Sequence, residues 1–223
     1  MKNNYFHLIL VLVFVLFSCQ KENIENTAII DYGHEYFNLK ENTELVYEVT
    51  EINIDDPSGV YDTVNYFLKY VFKEPFVDDG GRDAMKLYIY KSDVCNDSSW
   101  GVPNVYWCAI TDREAIAYEE NIPIVKLVFP VEEGKIWDAN KYNDLEKKEC
   151  MMQLLSNNRL KVIQEDNITL ISEDVEFEIY ARNIGLVEKE IKHLEAYYSD
   201  LSVPIEERLK VGYIFRMKLV DCE

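Results

Sequence analysis

The chain of 223 residues contains only three histidines, eight glycines and six prolines. With so few breakers, no Gly/Ser-rich or Pro-rich linker divides it after about residue 30, and one domain is expected. No Gly-x-Ser-x-Gly elbow, no His-Glu-x-x-His and no glycine-rich phosphate loop occurs, which removes the common signatures of serine hydrolases, zinc proteases and nucleotide-binding enzymes. No Cys-x-x-Cys pair occurs either. His34 and His193 have no ligating residues clustered near them in the sequence, so neither a metal site nor a cofactor is expected. Basic residues are scarce as well: 23 Lys and Arg stand against 41 Asp and Glu, for a net charge of −18. Such a surface argues against nucleic acid and against adsorption to anionic lipid, and favours solubility, cations or a basic partner. Finally, no apolar run reaches the roughly 20 residues that a membrane-spanning helix needs. The run Leu8 to Phe17 covers ten.

What is present begins with that run. Lys2 gives a positive start, the apolar run follows, and Leu16-Phe17-Ser18-Cys19 closes it. A short apolar segment between a basic start and a small residue is the secretory pattern. With Leu16 three residues before the cysteine, it resembles the lipobox of bacterial lipoproteins. The resemblance implies cleavage before Cys19, a diacylglyceryl thioether on its sulfur and a fatty acyl group such as palmitate on the new amine. Residues 1–18 are then a discarded signal peptide, 19–30 a lipidated tether and 31–223 a single globular domain. Three acyl chains anchor stably, because each buried methylene contributes roughly 0.8 kcal/mol. Gln20-Lys21-Glu22 resembles the surface-export signal of Bacteroidota-type lipoproteins, with Asn23 where a second acid is usual. It implies an outer-membrane location facing the cell exterior.

Past Cys19 the cysteines are Cys95, Cys108, Cys150 and Cys222. An even number in an oxidising compartment permits two disulfides, with three connectivities open. A turn-rich stretch between Cys95 and Cys108 suits a bridged hairpin, and Cys150 with Cys222 would pin the last strand to the middle of the domain.

Alternating apolar and polar residues between short turn signals predict antiparallel strands with one buried face. Leu45, Tyr47 and Val49 alternate with polar residues. Val64, Tyr66, Leu68, Tyr70 and Phe72 continue the pattern, and Met85, Leu87 and Ile89 line a third strand. Turns are expected at Asp55-Asp56-Pro57-Ser58-Gly59 and Asp78-Asp79-Gly80-Gly81. Short strands are expected over 105–110, 114–118 and 122–131, then a loop over 134–143 carrying Trp137. Asp144 to Ser156 is the best helical stretch, with Asp144 as its cap, and a strand is the alternative there. Strands are expected again at 160–164, 168–172 and 175–181, and over Leu209 to Val220. Between Gly185 and Tyr198 both helical and strand periods fit. The predicted class is mainly β: a curved antiparallel meander or partly closed barrel with at most one or two short helices. Tyr47, Tyr66, Leu68, Tyr70, Leu87 and Ile89 would face its interior, as packed core or as the wall of a small-ligand cavity.

Two further elements resemble parts of uncharacterised Bacteroidota-type lipoproteins. One is Phe129-Pro130 followed by Gly134-Lys135-Ile136-Trp137, with Asn140 and Asn143 beyond it. The other is Tyr180-Ala181-Arg182-Asn183-Ile184-Gly185-Leu186-Val187. The resemblance implies a strongly curved antiparallel sheet and a strand after Gly185. It lends no catalytic residues. Asp62-Thr63-Val64 resembles the O-glycosylation acceptor of the same bacterial group, which makes Thr63 a modification candidate. Trp137 is expected to plug one end of the sheet, and it is also the ligand-stacking candidate, as an exposed tryptophan of a sugar-binding surface. The expected function is a lipid-anchored, non-enzymatic binding domain on the cell surface, attached to the membrane by its acylated N-terminus and serving a protein or small-molecule partner. A periplasm-facing carrier for an apolar ligand and a hydrolase using acidic residues are the alternatives.

Overall fold

The computed structural model describes residues 31–95, 100–200 and 202–221, without the side chain at 206. Cys19, the Gln20-Lys21-Glu22 element and Cys222 lie outside them. Residues Tyr32–Glu223 form one compact unit.

Twelve strands make one antiparallel sheet: β1 (Glu44–Asp55), β2 (Val60–Val77), β3 (Asp83–Ser92), β4 (Asn104–Ile110), β5 (Glu114–Glu119), β6 (Ile122–Val128), β7 (Ile136–Asp138), β8 (Glu149–Leu155), β9 (Arg159–Ile168), β10 (Ser172–Ala181), β11 (Gly185–Ala196) and β12 (Leu209–Val220). Their order across the sheet is 6-5-4-3-2-1-12-11-10-9-8-7. Every neighbour is therefore a sequence neighbour except β1 and β12, which pair from Val46 opposite Val220 to Asp55 opposite Val211. Two six-strand meanders meet at that junction, and the sheet curls into a nearly closed barrel with β6 and β7 at its free edges.

The gap between these edges is bridged by a few bonds rather than a ladder. The Val125 N–H donates to the Ala139 carbonyl at 2.9 Å. The Trp137 indole N–H donates to the Val125 carbonyl at 3.0 Å, and the Asn143 amide to the Pro123 carbonyl at 2.9 Å. Trp137 is 9% exposed and belongs to an apolar cluster with Leu127, Phe129, Met152, Leu160 and Val162, drawn from both edges. Burying such side chains is worth roughly 1.5–3 kcal/mol each, so packing holds the seam where backbone pairing is missing.

The segment before β1 crosses one end of the barrel. The Val131 N–H bonds the Tyr32 carbonyl at 3.0 Å, and the Asn183 N–H bonds the Glu35 carbonyl at 2.8 Å. This ties the β6–β7 connection to the β10–β11 turn. Gly33 makes the approach possible: its φ is +78°, and a Cβ there would lie 2.6 Å from Val131 Cγ2. Tyr36 is buried behind it, in a short 3-10 turn.

Two expectations are corrected. Asp144 to Ser156 is not a helix. Its second half is β8, where Cys150 and Met152, two residues apart, are fully buried. That is the period of a strand, and pairing with β7 and β9 overrides the helix propensity of the residues. Nor do the strands break at Glu165-Asp166-Asn167, since β9 runs through to Ile168 and the turn falls at 169–171. The segment after Gly185 is a strand, entered at a φ of +103°. Among the described residues the helical elements are three 3-10 turns.

Candidate functional site

Inward-facing residues near the crossed end surround a cavity of ≈ 80 Å³. Tyr47, Tyr70, Phe72 and Leu87 form its apolar wall on the β1–β3 side. Tyr180 and Leu186 stand on the β10–β11 side, with Phe37 and Asn38 from the crossing segment. Space of this size holds about three waters, or a ligand of few heavy atoms.

The floor is ionic. Lys126 Nζ lies 3.1 Å from Glu119 Oε1 and 3.2 Å from Glu178 Oε1, and Lys189 Nζ lies 3.5 Å from the same Glu178 atom. The Tyr180 hydroxyl donates to Glu178 Oε2 at 2.6 Å. Two ammonium groups thus face two carboxylates. A β-bulge explains how a lysine from an apolar strand arrives here. The β5–β6 register shifts after Ala115 opposite Leu127, so that Ile116 opposes Val125 and Lys126 is the extra residue.

Burial alone would raise the Glu178 carboxyl, but Lys126 and then Lys189 overcome it and bring the group down to about 2. Glu119 is held low chiefly by Lys126. Burial opposes the charge on Lys126, yet Glu178 and Glu119 raise its value above that of an ordinary lysine. Burial raises the Tyr47, Tyr70 and Tyr180 hydroxyls, with the Glu178 charge adding to each. Tyr47 donates to the Leu186 carbonyl at 2.9 Å. Burial also pushes the Cys108 thiol in the cavity wall up to about 12.

Of the residues singled out from the sequence, few are brought together. Cys108 and Cys150 are free, buried thiols, which corrects both disulfide pairings. The register places Met85, not Cys95, across from Cys108, and Trp137 across from Cys150. Cys95 is not a free thiol. Trp137 is no exposed stacking platform, because its ring fills the seam and its N–H is spent on Val125. Thr63 stands exposed on β2, opposite Ile52. Tyr47, Tyr70 and Leu87 line the cavity as anticipated, whereas Tyr66, Leu68 and Ile89 pack in neighbouring clusters. His34 stacks between Tyr32 and the edge of Phe129.

His193, isolated in the sequence, has close company in the fold. Its Nδ1 lies 3.1 Å from Asp174 Oδ1 and its Nε2 lies 3.4 Å from Glu176 Oε1. Ligating atoms of Glu165, Glu176 and His193 lie within 4.8 Å of one another. Sequence reading missed these residues and the ionic floor alike. The available signal was a lone charge inside an apolar strand, as Lys126 is between Val125 and Leu127.

No family model, no curated protein and no solved structure matches the chain.

Proposed function

We propose that this chain is a lipid-anchored protein of the bacterial envelope, displayed at the cell surface, whose barrel interior binds a small amphipathic ligand without transforming it. One observation carries the non-catalytic reading: the ionisable groups of the cavity are tuned away from neutrality. Glu178 is held near 2, Glu119 is lowered, Lys126 is raised and Cys108 sits near 12. General acid–base catalysis works best with a group that titrates near the operating pH. A glycoside hydrolase in particular needs one carboxyl kept protonated, and both carboxylates here are held ionised by lysine. Apolar walls over a paired ionic floor suit a ligand of few heavy atoms, with a short apolar part and a small polar end.

The small volume tells against a carrier that shields an acyl chain. An apolar cavity of ~150 Å³ is what admits benzene, and this one is about half that. Membrane attachment rests on the signal ending at Cys19, and outward display on Gln20-Lys21-Glu22.

Mass spectrometry of the protein extracted from its own membrane tests the anchor and the ligand together. The expected result is an acylated Cys19 at the N-terminus and a co-purifying small molecule. Ala117→Leu, which fills the cavity wall, should exclude that molecule. An intact Met1 or an unmodified Cys19 overturns the anchoring, and a wild-type native mass equal to that of the acylated polypeptide alone, or the same bound excess mass retained by Ala117→Leu, overturns the ligand. Protease treatment of whole cells separates outward from inward display.

A further inference from the structure

We propose that Glu165, Glu176 and His193 form a binding site for a divalent transition-metal ion, separate from the cavity. The three side chains come from adjacent strands β9, β10 and β11, and their ligating atoms already lie within 4.8 Å of one another. Around a zinc ion with bonds of about 2.0–2.2 Å, tetrahedral donor atoms sit roughly 3.4 Å apart, so small side-chain rotations complete the set.

Two supports orient the ligands. Asp174 holds His193 Nδ1 at 3.1 Å, which aims Nε2 at Glu176 Oε1. A carboxylate on the far nitrogen of a ligating histidine is the usual outer support of a metal site. Lys148 bonds Glu176 Oε2 and leaves Oε1 for the ion. The placement of Glu165 depends on a bulge, because the β9–β10 register shifts so that Glu165 opposes Glu176 and Ile163 opposes Phe177, with Gln164 left over.

The charge balance asks for a cation. Asp174, Glu176 and Glu165 bring three carboxylates, and Lys148 supplies one ammonium. A divalent ion makes up the difference, and the mixed imidazole–carboxylate set suits zinc or its first-row neighbours better than calcium. The His193 side chain is 40% exposed, which leaves an open position for water or a further ligand.

The test is titration of the chelator-stripped full chain with Zn²⁺ by calorimetry at neutral pH. One ion should bind per chain with micromolar or tighter affinity. Asp174→Asn should weaken binding by about 10–100-fold. His193→Ala and Glu165→Gln should weaken it further, and His34→Ala should leave it unchanged. Circular dichroism of each metal-free variant checks the fold. X-ray absorption of zinc-loaded wild type needs no variant and should show one imidazole among oxygen ligands. An all-oxygen shell, equal zinc affinity in His193→Ala, or Ca²⁺ binding more tightly than Zn²⁺ overturns the proposal. So does absence of saturable binding.

Discussion

Glu178 and Glu176 sit two residues apart on one face of β10, about 7 Å along the strand, and their surroundings differ in kind. The Glu178 side chain is fully buried and meets two lysines and a tyrosine hydroxyl. Glu176 is 13% exposed and shares one lysine and a histidine with two further carboxylates. Where water is excluded the charges cancel, since an unpaired buried ion costs several kcal/mol. Where water reaches, an excess of negative charge persists. The first arrangement stabilises the barrel and the second leaves capacity for a cation.

Variants can break this contrast. The largest effect is expected for Glu178→Gln, which leaves Lys126 and Lys189 short of a counter-charge inside the barrel. It should cost about 3–5 kcal/mol in urea unfolding, and a loss no greater than that of a surface variant would refute the structural role of the floor. Acid should reproduce part of that loss in the wild type. The folded-state value of Glu178, about 2, lies below its ordinary 4.5. The unfolded chain therefore takes up this proton first as pH falls. Stability from this group is complete above about pH 5 and drains away between pH 4.5 and 2, by on the order of 3 kcal/mol. Measured against pH, the gap between wild type and Glu178→Gln should close over that window. A gap independent of pH would place the proton elsewhere.

A seam variant gives the uncharged reference. Trp137→Phe keeps most of the apolar volume but removes the donor to Val125, at a cost of about 1–2 kcal/mol. A thermal melt unchanged from wild type would mean the seam is held without that bond. The smallest effect is expected for Glu176→Gln, at about 1 kcal/mol or less. It frees Lys148, which is 39% exposed and can turn to water, and it relieves the negative excess. Destabilisation as large as for Glu178→Gln would erase the distinction between the two groups.

The antiparallel class and most strands were readable from alternation. Tyr47 and Val49 are fully buried on the face that alternation assigns them, and Gly185 takes the positive φ expected at a bend. The two charged groups were hidden for the same reason. In Phe177-Glu178-Ile179 alternation puts the glutamate in solvent, yet Glu178 is 1% exposed while Phe177 lies beneath Lys161 on the other face. Partners that alternation within the strand does not reveal make that inversion tolerable: Lys126 from β6, Lys189 across the β10–β11 hairpin and the Tyr180 hydroxyl. Glu165 looked like part of a turn because three polar residues stand together at 165–167. The ladder with β10 carries the strand through them. Bulges at Lys126 and Gln164 move charged side chains by one position, a shift that a period of two cannot reveal. Cysteine spacing misled because it assumed that residues flanking a turn face each other, and the register of β3 with β4 sets Cys108 against Met85.

The junction of β1 with β12 has a consequence for assembly. Val46 and Val220, from nearly opposite ends of the sequence, lie side by side, so the last rung of the ring waits on the slowest loop closure in the chain. A circular permutant, its ends joined by a linker from the end of β12 to the segment before β1 and opened at the exposed Glu132-Glu133-Gly134 connection between the unpaired edges β6 and β7, would turn that rung into a local pairing and leave no two paired strands remote in sequence. Its contact order would fall, and it should reach the same barrel faster than the natural chain.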